Sequence, residues 1–352
     1  MKINEVGNKI KPRPSVVIPV LAVILVIATI AAAAIGAVNI PFFTTIRIVL
    51  KNLGLISDQS IPQSQDSIIF LVRLPRVIVA LLVGAALSAS GAVMQGMFRN
   101  PMADPGIIGV SSGASLGAVT AIFLGLSAQS IYYMPLFSTA GALLAAFIIF
   151  VLSSKGGKVP VLTLILSGIA VSTFLSAITS VILTYINDYQ VRSFIFWTMG
   201  GLSDRRWEHA GLVVIPITVC VVVMCIFARD INVMMLGEEE AQSVGLNTSR
   251  VRKLLLLVSS LTTAMAVCVS GTISFVGLIV PHIMRLIVGP DHRILIPASA
   301  LGGAIFLIIC DLISRVILLP REMSVGIVTS LVGAPYFLFL LVKARKGGGA
   351  VI

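Results

Sequence analysis

The stretch GEEEAQSVGL (237–246) sets three consecutive glutamates into a 352-residue chain that holds only 14 acidic residues. Ahead of it runs LVVIPITVCVVVMCIFA (212–228), and after it another apolar run opens at Leu254. Apolar residues make up 57% of the chain and charged residues 11%, and the mean hydropathy is +1.07. Soluble domains carry about 45–50% and about 25%. The chain is therefore read as an all-α integral membrane protein, and the acidic stretch as an element outside the bilayer.

A helix needs about 20 mainly apolar residues to span a bilayer. Working outward from the acidic stretch, ten such runs are found, near 16–38, 74–97, 106–126, 134–153, 160–186, 209–228, 252–270, 272–288, 293–314 and 323–342. The alternating polarity of a membrane β-barrel is missing. Ahead of the first run lie Lys2, Lys9, Lys11 and Arg13, and it ends in AAAAIGA, so a cleaved signal peptide is the alternative there. Its length exceeds the ~7–15 apolar residues of a signal core, and a retained first helix is the expectation.

Ten spans with the N-terminus inside put sixteen of the 25 basic residues on the cytoplasmic side, among them Lys155, Lys158, Arg250, Arg252, Lys253, Arg293, Lys343, Arg345 and Lys346. That bias is the one expected of cytoplasmic loops. Both termini are then cytoplasmic, with a segment at 1–15, one membrane domain at 16–345 and a tail at 346–352. The net charge of +11, so distributed, points to anionic lipid headgroups as partners and not to nucleic acid.

The four cysteines, Cys220, Cys225, Cys268 and Cys310, all fall inside spans with no CxxC pair, so they read as small buried hydrophobes. His209, His282 and His292 are scattered and suggest no metal centre. GASLGA (113–118) echoes ASALGGA (298–304), and Leu-Pro-Arg at 74–76 recurs at 319–321, each expected at the outer start of an inward-running helix. Transporters built from repeated halves show such echoes, and so does chance. GAALSASGAVMQG (84–96) is small at nearly every position, which suits close helix packing or a wide pathway.

Two kinds of chemistry are missing. Ion-coupled carriers place ionisable side chains at mid-depth, whereas here Asp311 and Arg315, four apart and able to pair, sit near an outer end. GGKV (156–159) lacks the first glycine and the hydroxyl of a nucleotide-binding loop. A chain that moves cargo uphill without either needs a partner to supply the energy. The acidic stretch reads either as a solvated connector between two spans or as the place where such a partner would dock. Gly237 is placed to start a helix, Glu238, Glu239 and Glu240 complement its positive end, and Gly245 is placed to close it after about two turns. Asn247 or Thr248 then caps the next span.

LGEEEAQSVGLNTSRVRKL (236–254), followed by GTISFVGLIVPHIMRLIVGPDHRILIPASALGGA (271–304), resembles the permease subunits of type II ABC importers, the FecCD family. RLPRVIVALLVGAALSASGAVMQGMFRNPMADPGIIGVSSGASLGA (73–118) and MSVGIVTSLVGAPYFLFLL (323–341) are similar to the same family, so the resemblance covers about 70–345. It implies a ten-helix permease fold and a chain that is no enzyme and holds no cofactor. It also implies two permease copies, a pair of ATP-binding subunits, and an extracytoplasmic binding protein that delivers a metal chelate. The cargo expected first is a ferric siderophore, then haem or cobalamin, across a bacterial or archaeal cell membrane. An ion-coupled secondary transporter is the alternative.

Residue by residue, the resemblance implies that Leu236, Gly237, Glu238, Glu239, Glu240, Ala241 and Gly245, within a coupling helix at about 236–246, meet the ATPase. Arg73, Arg76 and Arg315 would meet acidic lobes of the binding protein, and Asn100 and Met102 would form a cytoplasmic gate. A second gate segment falls on Val161 and Leu162, where this sequence departs from the family's Thr-Ser.

Overall fold

The computed structural model describes residues 14–58, 60–154 and 160–346. The N-terminal segment 1–13, Lys155, Lys158 and the tail 347–352 lie outside the described residues, as do the side chains of Lys343, Arg345 and Lys346. The described helices are α1 (Pro14–Ala34), α2 (Phe42–Asn52), α3 (Gln63–Ser67), α4 (Leu74–Phe98), α5 (Val110–Phe123), α6 (Tyr133–Ser153), α7 (Val161–Tyr185) and α8 (Asp188–Thr198). They continue with α9 (Trp207–Ile226), α10 (Ala228–Leu236), α11 (Glu238–Ser243), α12 (Thr248–Ser270), α13 (Val276–Val288), α14 (His292–Val316) and α15 (Val325–Lys346). Among the described residues seven helices are long and apolar enough to cross a membrane, and α5, α13 and α15 add three shorter apolar ones. Each coincides with one of the ten runs read from hydropathy.

α4 is the axis of the fold, packed by α14, α12, α13 and α9, while α5, α6 and α7 form a second group joined through α12. Small residues make this possible. A Cβ added to Gly91 would lie 1.9 Å from the Gly277 carbonyl oxygen, and one added to Gly84 would lie 2.2 Å from that of Gly303. In lipid there is no hydrophobic drive between helices, so close backbone approach and dense van der Waals contact hold them together. The stretch 84–97 is buried apart from half-buried Ala85, so close packing is its role here.

Three features depart from the local reading. Pro75 reads as a helix start, yet the helix continues upstream to Gln63 through a π-helical stretch, Ile68–Arg73. A proline inside a helix has no N–H and crowds the carbonyl four residues back. The wider π turn, in which Leu74 N donates to Ile69 O, accommodates it. Arg73 and Arg76 therefore lie well inside a continuous 36-residue helical run, not at its mouth. The second Leu-Pro-Arg, 319–321, stands in a turn with a cis Leu319–Pro320 bond ahead of α15, not at a helix start. Asp66, which reads locally as a loop residue, stands in α3 and accepts from Asn52 (2.7 Å) and Lys51 (3.1 Å) at the end of α2.

The amphipathic α2, α8 and α10 escape a search for long apolar runs. Each is 9 or 11 residues, and burial of one face holds it. α8 carries a full capping box, with Gln190 N donating to Asn187 Oδ1 (2.9 Å) and the Gln190 side chain accepting from Asn187 N. Cys220, Cys268 and Cys310 are buried and Cys225 is half-buried, all four as free thiols.

Candidate functional site

At one end of the bundle the three predicted arginines come together. Arg73, Arg76 and Arg315 are 7%, 7% and 5% exposed, so none of them stands on the surface. Arg73 donates from Nη1 to the carbonyls of Ala33 and Ala34 (both 2.8 Å) and from Nη2 to that of Val38. Arg315 Nη2 donates to Ala32 O (2.9 Å). The last carbonyls of a helix have no partner within it and carry partial negative charge, so two guanidinium groups cap the end of α1 and stitch it to α4 and α14. That cap ties α1 into the bundle.

Arg76 turns the other way. Its Nε donates to Asp311 Oδ1 (2.9 Å) and its Nη1 to Glu322 Oε2 (2.7 Å), while Asp311 Oδ2 also meets Arg315 Nε at 3.1 Å. The Asp311–Arg315 pair expected from their four-residue spacing is present. The acidic partners of Arg76 were out of reach of a local search, since they lie 235 and 246 positions away. Burial alone would raise the Glu322 carboxyl, but hydrogen bonds from Arg76 and Ser203 and the charges of Arg76 and Arg315 hold it below the usual carboxylate range. Glu322 also lines a concavity of about 500 Å³ with Trp197, Ser203, Asp204, Arg205 and Met323. Aromatic, hydroxyl and charged groups meet in this concavity.

The opposite end carries the acidic helix. α11 is six residues, shorter than the two turns expected. Gly237 precedes it at φ 156°, and a Cβ there would fall 1.5 Å from Glu240 Oε2, because the Glu240 side chain folds back over the helix start. Only glycine fits. Gly245 closes the element at φ 85°, with Gly245 N donating to Gln242 O (2.9 Å) and Leu246 N to Ala241 O (3.0 Å). Asn247 is the cap of α12, accepting from Arg250 N (3.0 Å).

Ala241 is fully buried and seats the helix, and Glu238 meets Arg252 at 3.5 Å. Glu239 and Glu240 are exposed, and Leu236 and Val244 are 73% and 71% exposed. The element thus presents two carboxylates flanked by two bare apolar side chains.

The predicted gate residues follow α4 directly. Arg99 ends that helix in the left-handed region (φ 49°, ψ 34°), Asn100 is exposed and Met102 half-buried. Asn100 Oδ1 accepts from Met102 N (2.9 Å), and Ala103 N donates to Asn100 O (3.0 Å), so the turn is tight. A left-handed non-glycine residue costs roughly 1–2 kcal/mol, so Arg99 needs a reason. It donates from Nε (3.1 Å) and Nη2 (2.7 Å) to the carbonyl of Met234 in α10. Sequence reading passed over Arg99, although an arginine where a helix must stop was the available signal. Val161 and Leu162 open α7 after Pro160, and Leu162 is 70% exposed. Among the described residues no cluster of three or more His, Cys, Asp or Glu could hold a metal.

The sequence matches the model of the FecCD transport family over residues 24–343. It is 47% identical over 281 residues to the cobalamin import system permease protein BtuC of Halobacterium salinarum, covering 80% of this chain and 75% of that one. It is 38% identical to the hemin transport system permease protein HmuU of Yersinia pestis, covering 95% and 97%. A solved metal-chelate type ABC transporter in an inward-facing conformation superposes with a TM-score of 0.82 at 33% identity, over 93% of this chain and 99% of that one. With an axial α4, ten apolar helices and this coverage, the chain is a multi-pass membrane protein that belongs to the FecCD transport family.

Proposed function

We propose that the chain is the membrane-spanning subunit of a binding-protein-dependent ABC importer, passing a metal chelate inward on ATP hydrolysed by a partner. The observation that carries this reading is α11, an acidic knob with Ala241 buried beneath it and Leu236, Glu239, Glu240 and Val244 facing out. Two ATP-binding subunits dock at that end and a second permease copy completes the pathway. In this reading the basic residues of this end, among them Arg229, Arg250 and Arg293, face the cytoplasm and its anionic lipid surface, and both termini lie on the cytoplasmic side of a bacterial or archaeal cell membrane. An extracytoplasmic binding protein docks at the other end. There Arg73, Arg76 and Arg315 act through the surface they brace, since a direct ion pair with a docked protein would have to displace their internal partners.

A ferric siderophore is the first cargo to test, with haem and cobalamin beside it. The test is uptake of each chelate by vesicles holding the chain with its ATPase and binding protein. Reversing Glu238, Glu239 and Glu240 to lysine is expected to leave insertion intact and to cut both ATPase stimulation and uptake by about tenfold, the effect of losing one or two charge-assisted contacts. Unchanged coupling in that variant would remove the charge argument. Failure of any ATPase to associate with the wild-type chain would remove the importer reading itself.

The gate proposal has its own test. Met102→Cys in the two copies is expected to crosslink in the nucleotide-free complex and less so with nucleotide trapped. Lack of a crosslink in every state would move the constriction to Val161 and Leu162.

A further inference from the structure

α10 is held at three points close to α11. Arg99, at the end of α4, sends two hydrogen bonds to Met234 O, one of the last carbonyls of α10 and so without a partner inside that helix. Asn232, two residues earlier, donates to Asp291 Oδ1 (2.6 Å) and accepts from His292 N (3.0 Å), with its Oδ1 also 2.8 Å from His292 Nδ1. Asp291 and His292 are the cap and first residue of α14. The Asp291 carboxyl is held down to about 2 by hydrogen bonding from Arg293, against burial, and by Asn232, so it is an acceptor at any working pH. Gly96 closes the third side, where a Cβ would fall 2.3 Å from His292 Nε2 and 2.6 Å from Ile231 Cγ2. There is no slack between α4, α10 and α14.

We infer that Arg99 is the positioning residue that ties the α11 knob to the gate turn at Asn100–Met102. The chain of rigid links is short. α10 runs through the single residue Gly237 into α11, so a displacement of α11 moves Met234. The two bonds from one guanidinium to one carbonyl fix direction as well as distance, so Met234 carries Arg99 with it. Arg99 precedes Asn100 directly, and the turn that follows is closed by Asn100 onto Met102 and Ala103, so it shifts as a unit. A plain helix stop would be served by glycine, which adopts the left-handed region without strain. The arginine keeps the strained backbone and adds a contact 135 residues away in sequence. An ordinary terminator has no use for that contact.

The inference rests on the importer reading above, and its test separates the two. Arg99→Gly preserves the left-handed backbone and removes the contact. Arg99→Lys keeps the charge and cannot place two donors on the carbonyl from a planar fork. Each is made with Met102→Cys in a background whose native cysteines are replaced by alanine, in vesicles holding the complete complex. The readouts are uptake per ATP hydrolysed and the rate at which a membrane-impermeant maleimide labels position 102 with and without trapped nucleotide. For Arg99→Gly the expected result is continued ATP hydrolysis, about tenfold less uptake per ATP, and labelling at 102 that no longer responds to nucleotide. Arg99→Lys is expected to lie between glycine and wild type, and it carries the test alone if the glycine variant does not accumulate. Wild-type uptake per ATP with nucleotide-responsive labelling in either variant overturns the inference. A wild-type complex that neither imports nor hydrolyses ATP overturns the importer reading.

Discussion

Arg76→Ala is expected to lower the unfolding temperature of the purified chain sharply and to reduce its yield in the membrane. The side chain is 9% exposed and bonds Asp311, itself 1% exposed, and Glu322. Removing one partner of a buried ion pair costs up to about 3–5 kcal/mol, and Asp311, shut off from water, would keep Arg315 as its one remaining counterion. Glu322→Gln is expected to cost less than about 1 kcal/mol, since its side chain is 42% exposed and water replaces the lost contact. Thermal unfolding in detergent, read beside uptake, tests the order. If Arg76→Ala unfolds at the wild-type temperature yet loses affinity for the binding protein, Arg76 acts by direct docking and the bracing role falls.

Gly91→Ala is expected to be the most damaging single-methyl change in the bundle. Its Cβ would meet backbone, the Gly277 carbonyl at 1.9 Å with Gly277 Cα at 2.7 Å, so no rotamer change can make room. α4 and α13 would have to separate, and overpacking that moves backbone costs about 1–3 kcal/mol or more. Separation would also pull Gln95 from the carbonyls of Gly277 and Leu278, 3.1 and 3.2 Å away. Gly211→Ala in α9 is the control, because nothing lies within 4 Å of its added Cβ. Equal expression and unfolding temperature for both variants would contradict the α4–α13 approach.

How far local sequence carries depends on the range of the interaction that decides each feature. Hydropathy is summed over consecutive residues, so the ten apolar helices were legible, α6 and α14 to within a few residues, though not the upstream extension of α4 to Gln63. α2, α8 and α10 were not, since their order comes from one face packed against distant helices. The knob at 237–246 was legible because glycine, glutamate and asparagine mark helix ends by local chemistry, and Asn247 does cap α12. That α11 stops after six residues and leans on Ala241 was decided by its packing.

The sequence by itself determined a membrane protein of ten apolar helices, an acidic element between two of them, and membership of the FecCD transport family. What Arg73, Arg76 and Arg315 touch, and what Arg99 holds, only the tertiary structure decided. Arg76 reads from sequence as a cation with no acid near it, and folding brings Asp311 to 2.9 Å. Arg99 reads as one more basic residue at a helix end, and folding gives it Met234. A charge in lipid must find a partner wherever the fold provides one, and distance along the chain carries no information about which residue that is.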